Sequence, residues 1–219
     1  MIAAITDKNK HGKFRRDLKF AFYCLTHPLD GYWDLTHEKR GNLLVATIIL
    51  AFVLIARLMY LGVTSFLFVQ VNWSRINIFT HIASIILPLA LFVVGNWALT
   101  TLFDGKGRLL QVYIASCYAL LPYPLITIPL TIVSNVLSDD FAQVVSVVYI
   151  LSMVWAGILF ICGNMQIHEF SLGKTLIFIF ATIVAMAIMI FILLLFFSMI
   201  SEGISYFVSM YKEIMYRVG

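Results

Sequence analysis

Five long apolar stretches dominate the chain, and short polar connections separate them. They cover roughly residues 43–63, 78–101, 112–136, 143–167 and 173–200. A helix needs about 20 consecutive apolar residues to cross the hydrocarbon core of a bilayer, and each stretch reaches that length. The pattern therefore predicts an all-α polytopic membrane protein, built as a bundle of five transmembrane helices.

The third stretch differs from the others because it holds three prolines, Pro122, Pro124 and Pro129. A proline inside a helix removes a backbone hydrogen bond and clashes with the preceding turn. In a membrane, packed neighbours must then satisfy the freed carbonyl groups, since water is excluded. The sequence predicts a broken or strongly kinked third span at the centre of the bundle, with these prolines as the structural cause.

A polar, basic segment precedes the first apolar stretch, and we expect residues 1–42 to form a cytoplasmic head. The polar and basic composition of residues 1–12 predicts disorder, and a helical pattern begins at Lys13. One face of that helix is apolar, with Phe14, Leu18, Ala21, Phe22 and Leu25 at helical spacing. Such a flanking helix either lies in the lipid headgroup plane or packs on the bundle's own end.

The residues after the fifth stretch are also patterned. One helical face carries Ile204, Phe207, Met210, Tyr211, Ile214, Met215 and Val218, and the other carries Lys212, Glu213 and Arg217. We expect residues 201–219 to form a second amphipathic helix, on the outer side of the membrane. The predicted domains are therefore the head, 1–42, the five-span region, 43–200, and the tail, 201–219.

Composition and charge narrow the class further. Apolar residues make up 62% of the chain and charged residues 12%, about half the charged share of soluble domains. Eleven Lys and Arg residues lie in the head and in the loops on its side of the membrane, whereas three lie on the opposite side. The positive-inside rule then places the N-terminus in the cytoplasm and the C-terminus outside. Anionic lipid accounts for the basic head better than nucleic acid does, so we expect no nucleic-acid partner.

The sequence carries no phosphate loop, nucleotide fingerprint or zinc-protease helix, and we expect no cofactor and no enzymatic activity. The strongest metal candidate is the set His27, Asp30, Asp34 and His37, spaced three, four and three residues apart. On an unbroken helix these side chains would line one face suited to a divalent metal. Pro28 and Gly31 are expected to break the helix there, which argues against a metal site.

Few polar groups fall inside the predicted spans. Arg57 lies about two-thirds of the way along the first span, where a charge costs at least ~2.5–3.5 kcal/mol at the bilayer centre. It either snorkels to the far surface beside Tyr60 or pairs with Asn96 or Asn135. Asn164, Gln166, His168 and Glu169 end the fourth span and are expected to be solvated. No chain of ionisable groups connects these positions, which argues against an ion-coupled transporter.

Two short motifs and the overall layout resemble the Yip family of Ypt/Rab-interacting membrane proteins. The motifs are DGKGR at 104–108 and YALLP at 118–122, and the segment HPLDGYWDLTHEKRG at 27–41 is similar to the bacterial branch. The resemblance covers nearly all of residues 27–200. It implies a multi-pass protein of the bacterial cell membrane, with no catalytic residues to carry over. Eukaryotic members bind Rab GTPases during vesicle traffic, and some bacterial members are suspected of accompanying ABC transporters.

These observations favour a non-enzymatic membrane scaffold or accessory protein. Its partner, a membrane protein or a second copy, is expected to dock on the head and on the loop at 104–108. Tyr32 and Trp33 are expected to lie at the headgroup level and to hold the head beside that loop. The candidate partner-binding residues are Asp30, Trp33, Asp34, Lys39, Arg40, Asp104, Lys106 and Arg108.

Two other functions stay open. The first is a transporter or permease component that moves a small solute beside the kinked third span without ion coupling. Association with an ABC transporter is one form of this alternative. Its flux should depend on Asn96 or Asn135. The second is a membrane-embedded enzyme, which would need the His and Asp residues of the head to bind a metal.

Overall fold

The structure is a computed structural model that describes residues 2–65, 77–103 and 105–218, with side chains from Phe14 onward apart from those at 139 and 218. Within these ranges the chain forms eight α-helices and a short 3₁₀ turn. The helices are α1 Ile2–Thr26, α2 Pro28–His37, α3 Leu43–Val63, α4 Ile78–Thr101, α5 Leu109–Ala119, α6 Pro122–Ser134, α7 Ala142–His168 and α8 Leu172–Val218. The all-α prediction is confirmed.

The bundle consists of five spans, each long and apolar enough to cross a membrane. Helices α3, α4, α7 and α8 each form one span, and α5 and α6 together form the third. We call the end that carries α1 and α2 the head end. The loop at 105–108 returns there, since a Cβ on Gly105 would lie 3.1 Å from His168 Nδ1. At the opposite, far end, Asn135 Nδ2 donates a hydrogen bond to the Val63 carbonyl oxygen at 2.9 Å.

The third span is broken, as the sequence predicts. Helix α5 ends at Ala119 and α6 begins at Pro122. Between them the backbone tightens, because the Leu120 and Leu121 amides donate to carbonyls three residues back, at 3.2 and 3.1 Å. Pro122 suits the first position of a helix, where its missing N–H leaves no bond unmade, and Pro129 lies inside α6. That the prolines cause the break stays a prediction.

The broken span is also the centre of the bundle. In its most apolar stretch 56% of the residues are buried, against 28% in α3 and 22% in α7. Helix α5 contacts α2, α3, α4 and α7, and it buries mainly small residues, including Ala115, Cys117 and Ala119. Small residues let helix backbones approach closely in a membrane, so α5 can be surrounded on several sides.

Helix α1 differs from the prediction in where it starts and how it packs. It begins at Ile2 rather than Lys13, because residues 2–12 contain no proline and the single Gly12 is not enough to end a helix. Phe20, Ala21 and Cys24 are buried, whereas Phe22 is exposed. Of the two arrangements left open, the structure shows α1 packed on the bundle's own head end, against α2, α3 and α5.

Helix α2 is not broken at Gly31, contrary to the expectation. It starts at Pro28, in the first helical turn where proline is tolerated, and it continues through Gly31 to His37. A Cβ on Gly31 would lie 2.8 Å from Cys24 Cα and 2.9 Å from Cys24 Sγ. Glycine therefore serves close packing of α2 on α1. His27 lies outside the helix, with φ −127° and ψ 72°, as its position before Pro28 predicts.

Helix α8 continues well past the predicted end of the fifth span. Its 47 residues extend for about 70 Å at 1.5 Å per residue, more than twice the ~30 Å of a hydrocarbon core. No proline interrupts residues 172–218, so nothing ends the helix near residue 200. The tail is helical as predicted, but the expectation of a separate second helix is wrong, since residues 201–218 prolong α8.

Candidate functional site

Tyr32 fixes the head to the bundle. Its side chain is fully buried, at 0% exposure, and a Cβ on Gly163 of α7 would lie 3.2 Å from its ring. Its hydroxyl has no hydrogen-bond partner among the described residues. The small Gly163 leaves room for the ring, so Tyr32 packs against protein rather than facing lipid; its place at the headgroup level stays a prediction. The neighbouring Trp33 remains 47% exposed.

The loop at 105–108 packs tightly against the ends of α4 and α7. The Gly105 amide donates to the Thr100 carbonyl oxygen at 2.8 Å, which closes the end of α4. A Cβ on Gly107 would lie 2.5 Å from Ile167 Cγ2 and 2.8 Å from His168 Nδ1. Only glycine fits such a gap without a shift of the surrounding atoms. The loop then enters α5 at Arg108, whose amide donates to Gln111 Oε1 at 2.9 Å.

Glu169 links this loop to the head, forming what we call the head–loop junction: Trp33, His37, Lys106 and Glu169. The Glu169 carboxylate accepts from Lys106 Nζ at 2.5 Å and lies 3.4 Å from His37 Nε2. The His37 ring stacks on Trp33 with centroids 3.6 Å apart. The hydrogen bond from Lys106 holds the pKa of Glu169 below its ordinary value. These contacts join α2, the 105–108 loop and the end of α7.

A buried polar cluster lies beneath the junction and consists of Asn96, Thr100, His168 and Thr182. His168 Nε2 donates to Asn96 Oδ1 at 2.8 Å, and Asn96 Nδ2 donates to Thr182 Oγ1 at 3.3 Å. Both Asn96 and His168 are nearly inaccessible, at 1% and 2% exposure. The expectation that His168 is solvated is wrong, because the glycine loop covers it. Paired polar groups of this kind hold transmembrane helices together.

The predicted partner-binding residues fall into two groups and some isolated positions. Trp33 and Lys106 belong to the junction. Lys39, Arg40 and Asp34 lie together on the other side of α2, where Arg40 Nη1 donates to Asp34 Oδ2 at 3.3 Å.

The remaining predicted positions join neither group. Asp30 and Arg108 are exposed, and Asp104 lies outside the described residues. The head and the loop are therefore adjacent, and partner binding there stays a prediction.

Sequence reasoning missed Glu169, His37 and Tyr32 as the contacts that join the head to the rest of the molecule. Only the glycines of the 104–108 motif carried a signal, since two glycines around one lysine indicate a close backbone approach. Nothing in the sequence distinguishes the buried His168 from the exposed Glu169 that follows it. The difference arises where the chain leaves α7, because Glu169 follows the helix in a left-handed conformation with φ 53°.

The set His27, Asp30, Asp34 and His37 is divided by these contacts. His37 contacts Glu169 and Trp33, whereas Asp34 contacts Arg40. Among the residues that the structure describes, no group of three or more His, Cys, Asp or Glu side chains is placed to hold a metal ion.

Arg57 lies in a tyrosine-rich environment toward the far end. Tyr60 stacks on Tyr149 with centroids 5.0 Å apart, and Tyr123 meets Tyr149 edge-on at 6.0 Å. Arg57 lies near enough to the Tyr123 hydroxyl to interact with it electrostatically. The pairing with asparagine is not seen, because Asn135 Nδ2 donates to backbone carbonyls, those of Val63 and Thr131, and Asn96 belongs to the His168 cluster.

The fold and these contacts define a five-span helical membrane protein whose amphipathic head is docked on one end of the bundle. The Yip1 domain family model matches residues 22–199, from within α1 to the membrane-spanning part of α8. The chain therefore belongs to the Yip1 domain family. No curated protein and no solved structure gave a significant match.

Proposed function

We propose that this Yip-family protein is a non-enzymatic membrane scaffold or accessory protein that binds a protein partner through its head end. The supporting observation is the head–loop junction. It fixes an exposed tryptophan beside charged groups from separate parts of the chain, so the surface is rigid before any partner arrives. Rigid surfaces lose less conformational freedom on binding.

Trp33 is the best single anchor on this surface. It is 47% exposed, yet its ring is held by stacking on His37. Tryptophan is enriched among the residues that contribute most to interfaces, usually within a ring of polar contacts. Asp30, one helical turn before Asp34, adds an exposed negative charge nearby. Asp34 and Arg40 already pair with each other and are therefore weaker candidates for direct contact.

Crosslinking in mild detergent tests this proposal, with partner recovery compared among four variants. Trp33→Ala and Asp30→Ala change the proposed surface. Trp155→Ala and Asp140→Ala are matched controls, because Trp155 is 41% exposed on α7 and Asp140 is exposed near the far end. We expect recovery to fall by on the order of 30-fold for Trp33→Ala, the effect typical of an interface hot spot. Equal recovery in all four variants would place the docking surface elsewhere.

We further propose that the head end faces the cytoplasm of a bacterial cell and that the end of α8 lies outside. The excess of basic residues on the head side supports this orientation. Reporter fusions after Asp140 and after Gly219 should then both report the outer side. A cytoplasmic signal from both fusions would reverse the orientation and would remove the head from cytoplasmic partners.

A permease component remains the alternative proposal. Helix α6 supports it, because the buried hydroxyls of Thr127 and Thr131 have no hydrogen-bond partner among the described residues. Unpaired polar groups inside a membrane often mark a solute path. Solute flux in vesicles that is lost in Asn135→Ala, without loss of folded protein, would favour the permease over the scaffold.

A further inference from the structure

A pocket of about 830 Å³ opens beside α1, on the side of the head away from the junction. Its walls come from α1, from Asp34 of α2, from the connection between α2 and α3, and from the first residue of α3, Leu43. We call it the interface pocket. Because Leu43 begins the first span, the pocket lies where the membrane-spanning region ends, at the level of lipid headgroups.

The charged lining of the interface pocket is mainly basic. It comprises Arg16, Lys19, Lys39 and Arg40, with the two acids Asp17 and Asp34. Both acids already have partners: Asp17 Oδ2 accepts from Asn42 Nδ2 at 2.6 Å, and Asp34 accepts from Arg40 at 3.3 Å. In the described parts of the chain, the other three basic residues form no ion pair. The hydrogen bond from the neutral Asn42 amide leaves the charge of Asp17 in place, so the four basic and two acidic residues give the lining a net charge of +2.

The walls of the pocket are held in place by contacts of their own. Asn42 joins α1 to α3, because its side chain bonds Asp17 while its Oδ1 accepts from the Leu44 amide at 2.9 Å. Arg40 pairs with Glu38 as well as Asp34, and its guanidinium lies over the Phe20 ring at 6.0 Å. A pre-formed basic site gains affinity because little has to be ordered on binding.

The apolar side of the pocket extends toward the membrane. Leu43 lines it, and Leu44 and Ile48 follow on α3 with 69% and 46% exposure. We propose that the interface pocket binds the phosphate of an anionic phospholipid headgroup, while the acyl chains lie along the exposed side of α3. A free phosphate compound shares the phosphate chemistry but lacks the acyl chains. This inference does not depend on the proposed function.

Native mass spectrometry of the full chain in detergent tests the proposal by titration with phosphatidylglycerol. The test variant Arg16→Gln/Lys39→Gln removes two charges that line the pocket. The control Arg15→Gln/Lys212→Gln removes two exposed charges that do not. Each basic residue near an anionic lipid contributes about fivefold in affinity, so the test variant should lose on the order of 30-fold in binding of the first lipid. The control should retain that binding.

Three results would overturn the inference. Equal losses in the test and control variants would show only diffuse attraction of lipid to positive charge. Equal binding of phosphatidylcholine with the same acyl chains would remove the selectivity for a net negative headgroup. Displacement of the bound lipid by excess inorganic phosphate would assign the pocket to a soluble phosphate compound. All four substituted side chains are exposed, so unchanged thermal unfolding should accompany each variant.

Discussion

The head end of the bundle and the later part of α8 represent two ways of building a membrane protein from similar residues. At the head end, Tyr32, Cys24 and His168 are almost completely buried, and contacts join α1, α2, α5 and α7. In α8, every described side chain from residue 190 to 217 is exposed, and only 6% of its most apolar stretch is buried.

The difference shows that hydrophobicity is enough to place a helix in the membrane but not to pack it against the other helices. Lipid is as apolar as leucine, so the Leu- and Phe-rich α8 gains little from burying its side chains against protein. The head end is instead packed through small residues, through close backbone contacts at glycines and through paired polar groups. We therefore expect substitutions at the head end to change stability strongly and equivalent substitutions late in α8 to change it little.

The largest contrast should come from the two tyrosines Tyr32 and Tyr206. Tyr32→Ala empties a fully buried site and should lower the free energy of unfolding by about 3–5 kcal/mol. Tyr206 is 67% exposed in α8, so Tyr206→Ala should hardly change the free energy of unfolding. Tyr32→Phe is the sharper control, because the Tyr32 hydroxyl has no partner, and its removal should be neutral or stabilising. Detergent unfolding measures all three, and a Tyr32→Phe loss as large as that of Tyr32→Ala would contradict the packing role of the ring.

A smaller contrast is expected between two glycines. Gly107→Ala forces a methyl group to within 2.5 Å of Ile167 Cγ2, and overpacking of this kind costs about 1–3 kcal/mol. Gly203→Ala meets nothing within 4 Å and should stabilise α8 by about 0.5–1 kcal/mol through helix propensity. Thermal unfolding of the two variants should therefore shift in opposite directions. If both variants unfolded at a higher temperature than the parent, the loop would accommodate the added methyl group without loss of stability.

Burial of Cys24 offers a direct reporter for the same comparison. Burial, with a smaller contribution from Asp34, raises the pKa of the Cys24 thiol to about 12, so it is both inaccessible and protonated at neutral pH. With Cys117 and Cys162 replaced by alanine, labelling of Cys24 by a maleimide should report undocking of the head. Gly107→Ala should speed this labelling, whereas Gly203→Ala should leave it unchanged.

The spans are predicted well from the sequence because bilayer thickness sets their length. A break in the third span is predictable because each proline removes a local backbone hydrogen bond, although the prolines as its cause stay a prediction. The contacts of the head are different. Tyr32 and Trp33 are adjacent and both suit a membrane interface, yet one is buried against Gly163 and the other is exposed. That outcome depends on a cavity between helices distant in sequence. The extent of α8 was missed for the opposite reason, since a change from apolar to amphipathic pattern does not by itself end a helix.

A weaker effect is expected at the surface of the head end, where Glu169 joins the loop to the head. Because Lys106 lowers the pKa of Glu169, the stabilisation is present above the ordinary carboxyl pKa of 4.5 and is lost as the pH falls through the lower folded value. Glu169→Gln should therefore melt slightly below the parent at neutral pH, and the two should converge in acid. Glu202→Gln, in α8, should match the parent at every pH. A gap between Glu169→Gln and the parent that persists in acid would contradict the ion pair.

The smallest effect should follow from removing the end of α8. Residues 201–217 are all exposed and lie beyond the match to the Yip1 domain, which ends at residue 199. A chain that stops after Ile200 should insert in the membrane, unfold at the parent's temperature and keep Cys24 protected from maleimide. Deletion of residues 1–26 is the counterpart at the other end, and it removes Phe20, Ala21 and Cys24, which are buried in the parent chain. That chain should still insert, because all five spans remain, but its free energy of unfolding should fall. If the shortened α8 destabilised the bundle as much as loss of α1, the exposed end of α8 would have to pack against something in the folded protein, and the contrast between the two regions would not hold.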